Sequence, residues 1–303
     1  MHTTVVLIPT FNASLSIGRL LAYLVRQEVG VLVIDSSSTD NTIEIIKRYG
    51  VEYLVIPQNT FDHGGTRSLG AKHAKGAEFL VFLTQDALPY NDEAIENILL
   101  PFEDSQVGAV CGRQIAYPSE GIFGRHLREY NYSKTSHIRS YEDKKEYGIK
   151  TPFLSNSFAA YRASALREVG FFKDGLIFGE DMYAAAKMLQ YGYKIAYQAD
   201  AVVYHSHTYG YIQELRRYFD MGVFHIQEAW LLEDFGRPEG EGKRFVLAQI
   251  EFLKQHKKLH LLPSMGLRIF CKLLGYKLGK NYHHLPPKAI KRLTMNSKWW
   301  NYS

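Results

Sequence analysis

The sequence predicts an α/β fold, a mostly parallel sheet flanked by helices, on three observations. Short apolar runs rich in β-branched residues recur up to residue 83: TTVVLI at 3–8, VLVID at 31–35, YLVI at 53–56 and FLVFL at 79–83. Between these runs the apolar residues change to helical spacing. Each run also ends in polar residues, as strands do where they empty into a ligand-binding edge.

The first strand ends at Pro9, and helical spacing follows over 17–25, with Ser14 or Ser16 as candidate N-caps. VLVID leads through SSSTDNT to a helix over 43–49. YLVI is followed by FDHGGTR and a helical pattern over 69–77. FLVFL ends at TQDA, and a helix near 93–100 and the strand VGAVCG at 107–112 come next. Residues 113–150 are rich in Tyr, Arg, Lys, Glu and Ser with weak periodicity, and read as a partly helical excursion. SNSFAAYR at 155–162 returns to a strand, a helix over 163–169 stops at Gly170, and GED at 179–181 opens a helix running to 191. KIAY at 194–197 and AVVYHSH at 201–207 close the body. From 211 the pattern is helical, with breaks near 236–242, at Pro263 and at the pair Pro286 and Pro287. The division expected is 1–235 as the α/β domain and 236–303 as a helical C-terminal region.

Composition bounds the function. At 303 residues and 46% hydrophobic, the chain can build a normal core. No run of eighteen apolar residues is present, and the N-terminus lacks the features of a signal peptide. Cys111 and Cys271 sit in separate apolar contexts, which favours two buried thiols and a reducing cytoplasm. The net charge of +5 is uneven: residues 243–303 hold thirteen Lys and Arg against the single acid Glu251. A basic segment on a mildly acidic body seeks phosphate, in lipid headgroups or in nucleic acid. The acidic body and the lack of any nucleic-acid-binding motif argue against the latter.

The polar residues gather at the strand ends. The first strand delivers Pro9, Thr10, Phe11 and Asn12, the second Asp35, the third FDHGGTR, the fourth Thr84, Gln85 and Asp86. His205 and His207 follow a later strand, where H-x-H spacing puts both rings on one face. Neither G-x-G-x-x-G nor a P-loop occurs, so a bound nucleotide diphosphate would need another counter-charge. Arg67 and a metal at Asp86 are the candidates.

These residues resemble the inverting family 2 glycosyltransferases of the GT-A (Rossmann-like) fold: PTFN after strand one, the aspartate of VLVIDSSSTDNT, an acid ending the FLVFL strand, and GED before a helix. FDHGGTR, TQDA, YHSH and the C-terminal KLLGYKLGKNYHHLPP are similar more narrowly to bacterial rhamnosyltransferases. The resemblance spans roughly 3–235. It implies transfer of L-rhamnose from dTDP-L-rhamnose to a glycan or lipid-linked oligosaccharide acceptor in surface polysaccharide synthesis. Another dTDP- or UDP-sugar is the alternative donor, and a non-catalytic binder of the same fold the alternative function.

By that resemblance Asp181 is the catalytic base, and Glu180 orients it or the acceptor. Asp35 contacts the base of the nucleotide, with Pro9, Thr10 and Asn12 lining the pocket or doing ordinary turn chemistry. Asp86, with His205 or His207, holds a divalent metal, Mg²⁺ or Mn²⁺, and Thr84 stands where the usual D-x-D motif has its first acid. Gln85 lies in the same donor motif. In FDHGGTR, Asp62 and His63 would read sugar hydroxyls, Arg67 the base or diphosphate, Phe61 an apolar wall, and Gly64 and Gly65 the backbone's approach to ligand. The competing reading makes Asp62 a helix N-cap and Arg67 a surface residue. Tyr130, Tyr132 and Tyr141 are either acceptor-stacking or packing aromatics. In the basic segment, Ile269, Phe270, Leu273, Leu274 and Leu278 recur at helical spacing. Arg268 and Lys272 lie opposite them, Lys277 falls on the apolar side, and Trp299, Trp300 and Tyr302 end the chain. This suits either docking on an anionic membrane surface, on the cytoplasmic side, or packing on the body with solvated lysines.

Overall fold

The computed structural model describes residues 2–236 and 240–301. Its nine strands are β1 (Thr4–Thr10), β2 (Gly30–Asp35), β3 (Glu52–Val55), β4 (Phe79–Leu83), β5 (Leu88–Pro89), β6 (Val107–Ile115), β7 (His137–Arg139), β8 (Phe158–Arg162) and β9 (Lys194–Tyr204). They form one sheet in the order β3-β2-β1-β4-β8-β6-β9-β5, with β7 on β9. The mostly parallel sheet expected from strand–helix alternation is parallel across β3-β2-β1-β4 and mixed beyond. There β8 runs antiparallel to both of its neighbours, β4 and β6.

Alternation along β1 explains the two-sided core. Leu7 faces a cluster with Ile34, Phe82, Tyr161 and Phe219, while Val6 and Ile8 face one with Ile17, Leu21, Val33 and Val81. KIAY and AVVYHSH belong to one strand rather than two. The register of β9 against β6 jumps from Gln198 to Val202, so residues 199–201 bulge between the halves.

The chain visits β1, β2 and β3 on one side of β1, then crosses to β4 on the other. The crevice between the carboxyl ends of β1 and β4 is therefore a topological switch point. Because β8 is reversed, its amino end, preceded by Ser155 and Asn156, reaches the same edge as the carboxyl ends of β4, β6 and β9.

The C-terminal helices pack on the body. The helix Leu262–Lys280 lies along Tyr211–Gln227, and Ile290, Leu278, Tyr282 and Trp300 join the core that holds Phe219 and Leu231. The two long helices approach closely because Gly275 and Gly279 face backbone: a Cβ on them would lie 2.1 Å from the Leu215 carbonyl oxygen and 2.0 Å from that of Phe219. Tyr302, one of the terminal aromatics named above, lies outside the described residues. Cys111 and Cys271 are free and buried. Among the described residues no helix is long and apolar enough to cross a membrane. Gly275→Val is expected to force these helices apart at a cost of about 1–3 kcal/mol, read as a fall of several degrees in Tm.

Candidate active site

Two groups of side chains stand at the polar edge. The first is built on a buried ion pair. The helix His63–His73 and the helix Glu180–Gln190 present Arg67 and Glu180 to one another at 3.2 Å, with both side chains less than a tenth exposed. Asn156 donates from Nδ2 to Glu180 at 3.1 Å and accepts from the fully buried Tyr161 hydroxyl at 2.7 Å, which fixes its amide orientation. Its backbone N–H donates to Asp181 at 3.1 Å, and Met182 N–H donates to the other oxygen of Asp181 at 2.8 Å.

The two acids are thereby driven apart. Burial alone would raise the Glu180 carboxyl, but the Arg67 guanidinium, His63 and the Asn156 amide outweigh it and the net shift is downward. Asp181 is pushed up to about 6, by burial first and by the Glu180 charge second. It is partly open to solvent while Glu180 is buried. Asp181 is thus a carboxylate poised near neutral pH at the start of a helix. Glu180 touches Asn156 and Arg67, and its charge adds to the upward shift of Asp181.

The second group is Asp86, His205 and His207, whose ligand-type atoms all lie within 4.8 Å of one another. His205 Nε2 is 3.7 Å from one Asp86 oxygen and His207 Nε2 is 3.7 Å from the other. Both histidines lie just beyond β9, in the loop before Tyr211, so their proximity comes from the loop and not from a strand face. His205 Nδ1 bonds the Gln114 carbonyl oxygen at 2.8 Å, and Gln114 is held by Ser155. That bond makes Nδ1 the protonated nitrogen and leaves the Nε2 lone pair facing Asp86. Burial, then Arg128, lowers His205 to about 3, so it stays neutral. Burial also lowers His207. Two neutral imidazoles and a carboxylate fit a divalent cation.

The remaining candidates are arranged as follows. Gln85 bridges the switch point: its side chain accepts from Phe11 N–H at 2.8 Å and donates to the Phe11 carbonyl at 3.1 Å, tying the β1 loop to the β4 loop. Asp35 is buried with both oxygens taken by Ser38, from the backbone N–H at 2.8 Å and the hydroxyl at 2.5 Å. Ser38 in turn accepts from Asn12 N–H at 2.8 Å. Asn12, at φ 47°, caps this loop through Thr39 N–H at 2.8 Å. Thr10 is buried with its hydroxyl on the Ile8 carbonyl, and Pro9 pairs with Ile34 in the sheet. These residues shape the β1 and β2 loops, and Ser36 beside them has a buried hydroxyl with no protein partner.

FDHGGTR proves largely structural. Asp62 is the N-cap of its helix, accepting Gly65 N–H at 2.6 Å, and its second oxygen accepts Gly175 N–H at 3.1 Å. Arg67 is turned inward to Glu180 rather than out to a diphosphate or to solvent. Gly64 does not serve ligand approach: a Cβ there would meet the Lys173 carbonyl oxygen at 1.9 Å, so the glycine lets the 171–179 loop pack on the helix start. His63 packs edge-on to Phe61, and burial lowers its pKa. Tyr130, Tyr132 and Tyr141 pack or bond within the body, Tyr141 donating to Asp234 at 2.6 Å.

Asn156 and Gln114 escaped the sequence reading because a lone amide beside a strand carries no periodic or spacing signal. A signal did exist for Ser36 and Ser38, the serine run directly after Asp35. Arg67→Ala is expected to strand Glu180 without its counter-charge and cost about 3–5 kcal/mol of stability. Asp62→Ala removes a cap worth about 1 kcal/mol. Thermal unfolding of the two variants checks this ordering, which reverses if Arg67 faces a ligand and not Glu180.

Comparisons with known proteins identify the family. The model of glycosyl transferase family 2 matches residues 5–170. The chain is 43% identical over 305 residues to the O-antigen chain rhamnosyltransferase WbaN of Salmonella anatum, spanning 99% of this chain and 96% of that protein. It is 42% identical over 299 residues to the O-antigen chain rhamnosyltransferase RfbN of Salmonella typhimurium, spanning 97% and 95%. Among solved structures it is similar to a mannosyltransferase of Pyrobaculum calidifontis in complex with GDP-Man and Mn²⁺, with a TM-score of 0.61 and 19% identity over 96% of this chain and 87% of that one. It is also similar to TarS 1–349 of Staphylococcus aureus in complex with UDP-GlcNAc, with a TM-score of 0.56 and 17% identity over 92% and 91%. These two share the GT-A fold. With a family match over more than half its length and two relatives above 40% identity along nearly the whole chain, the protein belongs to glycosyl transferase family 2.

Proposed function

We infer that this glycosyltransferase moves L-rhamnose from dTDP-β-L-rhamnose to a hydroxyl of a lipid-linked glycan, with inversion at the anomeric carbon, at the cytoplasmic face of the membrane. The observation that carries the rhamnosyl reading is the 43% identity to an O-antigen rhamnosyltransferase over nearly both full lengths. The geometry supports single displacement. An acceptor oxygen attacks the anomeric carbon, the bond from that carbon to the diphosphate oxygen breaks, and the hydroxyl proton passes to the Asp181 carboxylate. That carboxylate, held by two backbone N–H groups and raised to about 6, is ionised at neutral pH yet basic enough to accept the proton.

Asp86, His205 and His207 would hold a divalent cation, with Gln114 fixing the His205 ring. Two imidazoles favour Mn²⁺ over Mg²⁺, which prefers an all-oxygen shell. A cation bound there supplies positive charge to the departing diphosphate. Asp35, its oxygens held by Ser38, would shape the loop that lines the base pocket.

Asp181→Asn is expected to lower kcat by about 10²–10⁴-fold while donor affinity persists. Its Tm should not fall, because the wild-type chain carries a carboxylate raised by burial and by Glu180. In the wild type, kcat/KM should rise about tenfold per unit as pH climbs toward about 6, then level off as Asp181 ionises. A profile flat through that range removes Asp181 as the base. Thermal shift with Mn²⁺ and a panel of nucleotide sugars tests the donor. Saturation at a hundred times Kd adds about 2.7 kcal/mol, a shift of a few degrees. A metal-dependent shift with dTDP-rhamnose that is lost in His205→Ala is the expected result. A shift with UDP-glucose or GDP-mannose instead discards rhamnose.

A further inference from the structure

We propose that the exposed ridge of the helix Leu262–Lys280 docks the enzyme on an anionic lipid bilayer, with the His205–His207 loop beside the contact. The setting rests on the lipid-linked acceptor inferred above. The surface itself rests on the orientation of the helix, its charge and its neighbours.

The helix exposes part of its apolar surface. Met265, Cys271, Gly275 and Gly279 are buried. Leu262, Phe270 and Leu273, one to three turns apart on the other side, face solvent, Phe270 being 58% and Leu273 66% exposed. Arg268 and Lys272, expected on the solvent side, are on the packed one. Arg268 donates to the Tyr209 carbonyl at 2.8 Å and to Glu214 at 2.7 Å. Lys272 lies 4.9 Å from the Phe245 ring centre and 5.5 Å from that of Tyr218. Apolar side chains in a line on the outside of a helix whose central charges, Arg268 and Lys272, point inward mark a contact surface.

The rim selects the partner. Lys257 and Lys258 precede the ridge, Lys277 and Lys280 follow it, and all four are exposed. No acid occurs in the sequence after Glu251, so the helix and its flanks bring cations without a carboxylate of their own. A second copy of the same face would set lysines against lysines. Anionic headgroups match the rim, and acyl chains match Phe270 and Leu273.

The position fits a membrane-bound acceptor. The Tyr211 hydroxyl and Ser264 Oγ are 2.9 Å apart, and Arg268 holds the Tyr209 carbonyl, so the first turns of the ridge adjoin the loop that carries His205 and His207. Ile212, 60% exposed, adds an apolar side chain at that end.

The test is co-sedimentation of the full chain with phosphatidylcholine vesicles that contain phosphatidylglycerol, against pure phosphatidylcholine vesicles, with no donor or acceptor present. Binding to the anionic vesicles should weaken with salt. The double variant Phe270→Glu, Leu273→Glu should reduce it at least about tenfold, with Tm and nucleotide-sugar binding at wild-type values. Because no substrate takes part, a wrong donor assignment leaves this result standing, and failure here leaves the donor assignment standing. The proposal is overturned if the wild-type chain does not sediment with anionic vesicles, or if the double variant sediments as well as wild type. It is also overturned if light scattering shows a wild-type dimer that the variant converts to monomer, which assigns the ridge to a second copy.

Discussion

The buried contact between Arg67 and Glu180 is the constraint on which the catalytic half of the site depends. Two helices that open at the same edge of the sheet each contribute one charge, and neither charge has access to water. Burying such a pair is expensive, and partners for its other polar atoms offset part of that cost, although Arg67 Nε has none among the described residues. Here Asn156 supplies one to Glu180, Tyr161 fixes Asn156, and Arg67 also donates to the His63 carbonyl at 3.0 Å. The same amide residue then holds Asp181 through its backbone. A residue that bonds two adjacent acids, one by its side chain and one by its main chain, sets their separation. The pair also sets their charge: a neutralised Glu180 stays ionised, and its residual field, added to burial, leaves Asp181 the weaker acid.

The reversal of β8 makes this arrangement possible. In an all-parallel sheet the residues before β8 would lie at the opposite edge, far from the ends of β4, β6 and β9. Running antiparallel, β8 starts where the others stop, so Ser155 and Asn156 meet Gln114 and Asp181. The parallel half contributes stiff loops. Gln85 joins the β1 and β4 loops, and the chain of bonds from Asp35 through Ser38 to Asn12 joins the β2 and β1 loops. A donor pocket between these loops would be formed before ligand arrives, which reduces the ordering cost on binding.

The sequence made the strand ends legible because polar residues at the termini of apolar runs can only lie at an edge. The resemblance put Asp86 with His205 or His207, and the structure brings all three side chains together. The sequence could not say which way FDHGGTR faces. Asp62 and Arg67 have the right chemistry for a diphosphate or a sugar, but their partners are Gly175 and Glu180, more than a hundred residues away. A local pattern cannot distinguish a charge aimed at ligand from one aimed at a buried counter-charge. For the helix Leu262–Lys280, periodicity found two faces and left open whether the apolar one docks on a membrane or packs on the body, because the glycines Gly275 and Gly279 decide which side packs.

That last point changes what the basic segment is. Beyond the long helix the chain returns to the body: Asp220 accepts Thr294 Oγ1 at 2.5 Å and Met295 N–H at 3.0 Å. Asn296 then donates to the Ile177 carbonyl at 2.9 Å, and Trp299 to that of Gly175 at 3.2 Å. Those carbonyls lie in the 171–179 loop that Asp62 and Gly64 also hold and that runs directly into Glu180 and Asp181. The C-terminal region therefore holds the loop that leads into Glu180 and Asp181, while its long helix presents exposed apolar side chains near the histidine loop. The lipid-linked acceptor proposed above would have to meet both, with its hydroxyl at Asp181 and its anchor in the bilayer. If the proposed docking holds, the bonds from the tail to the 171–179 loop would tie the membrane contact to the position of Asp181.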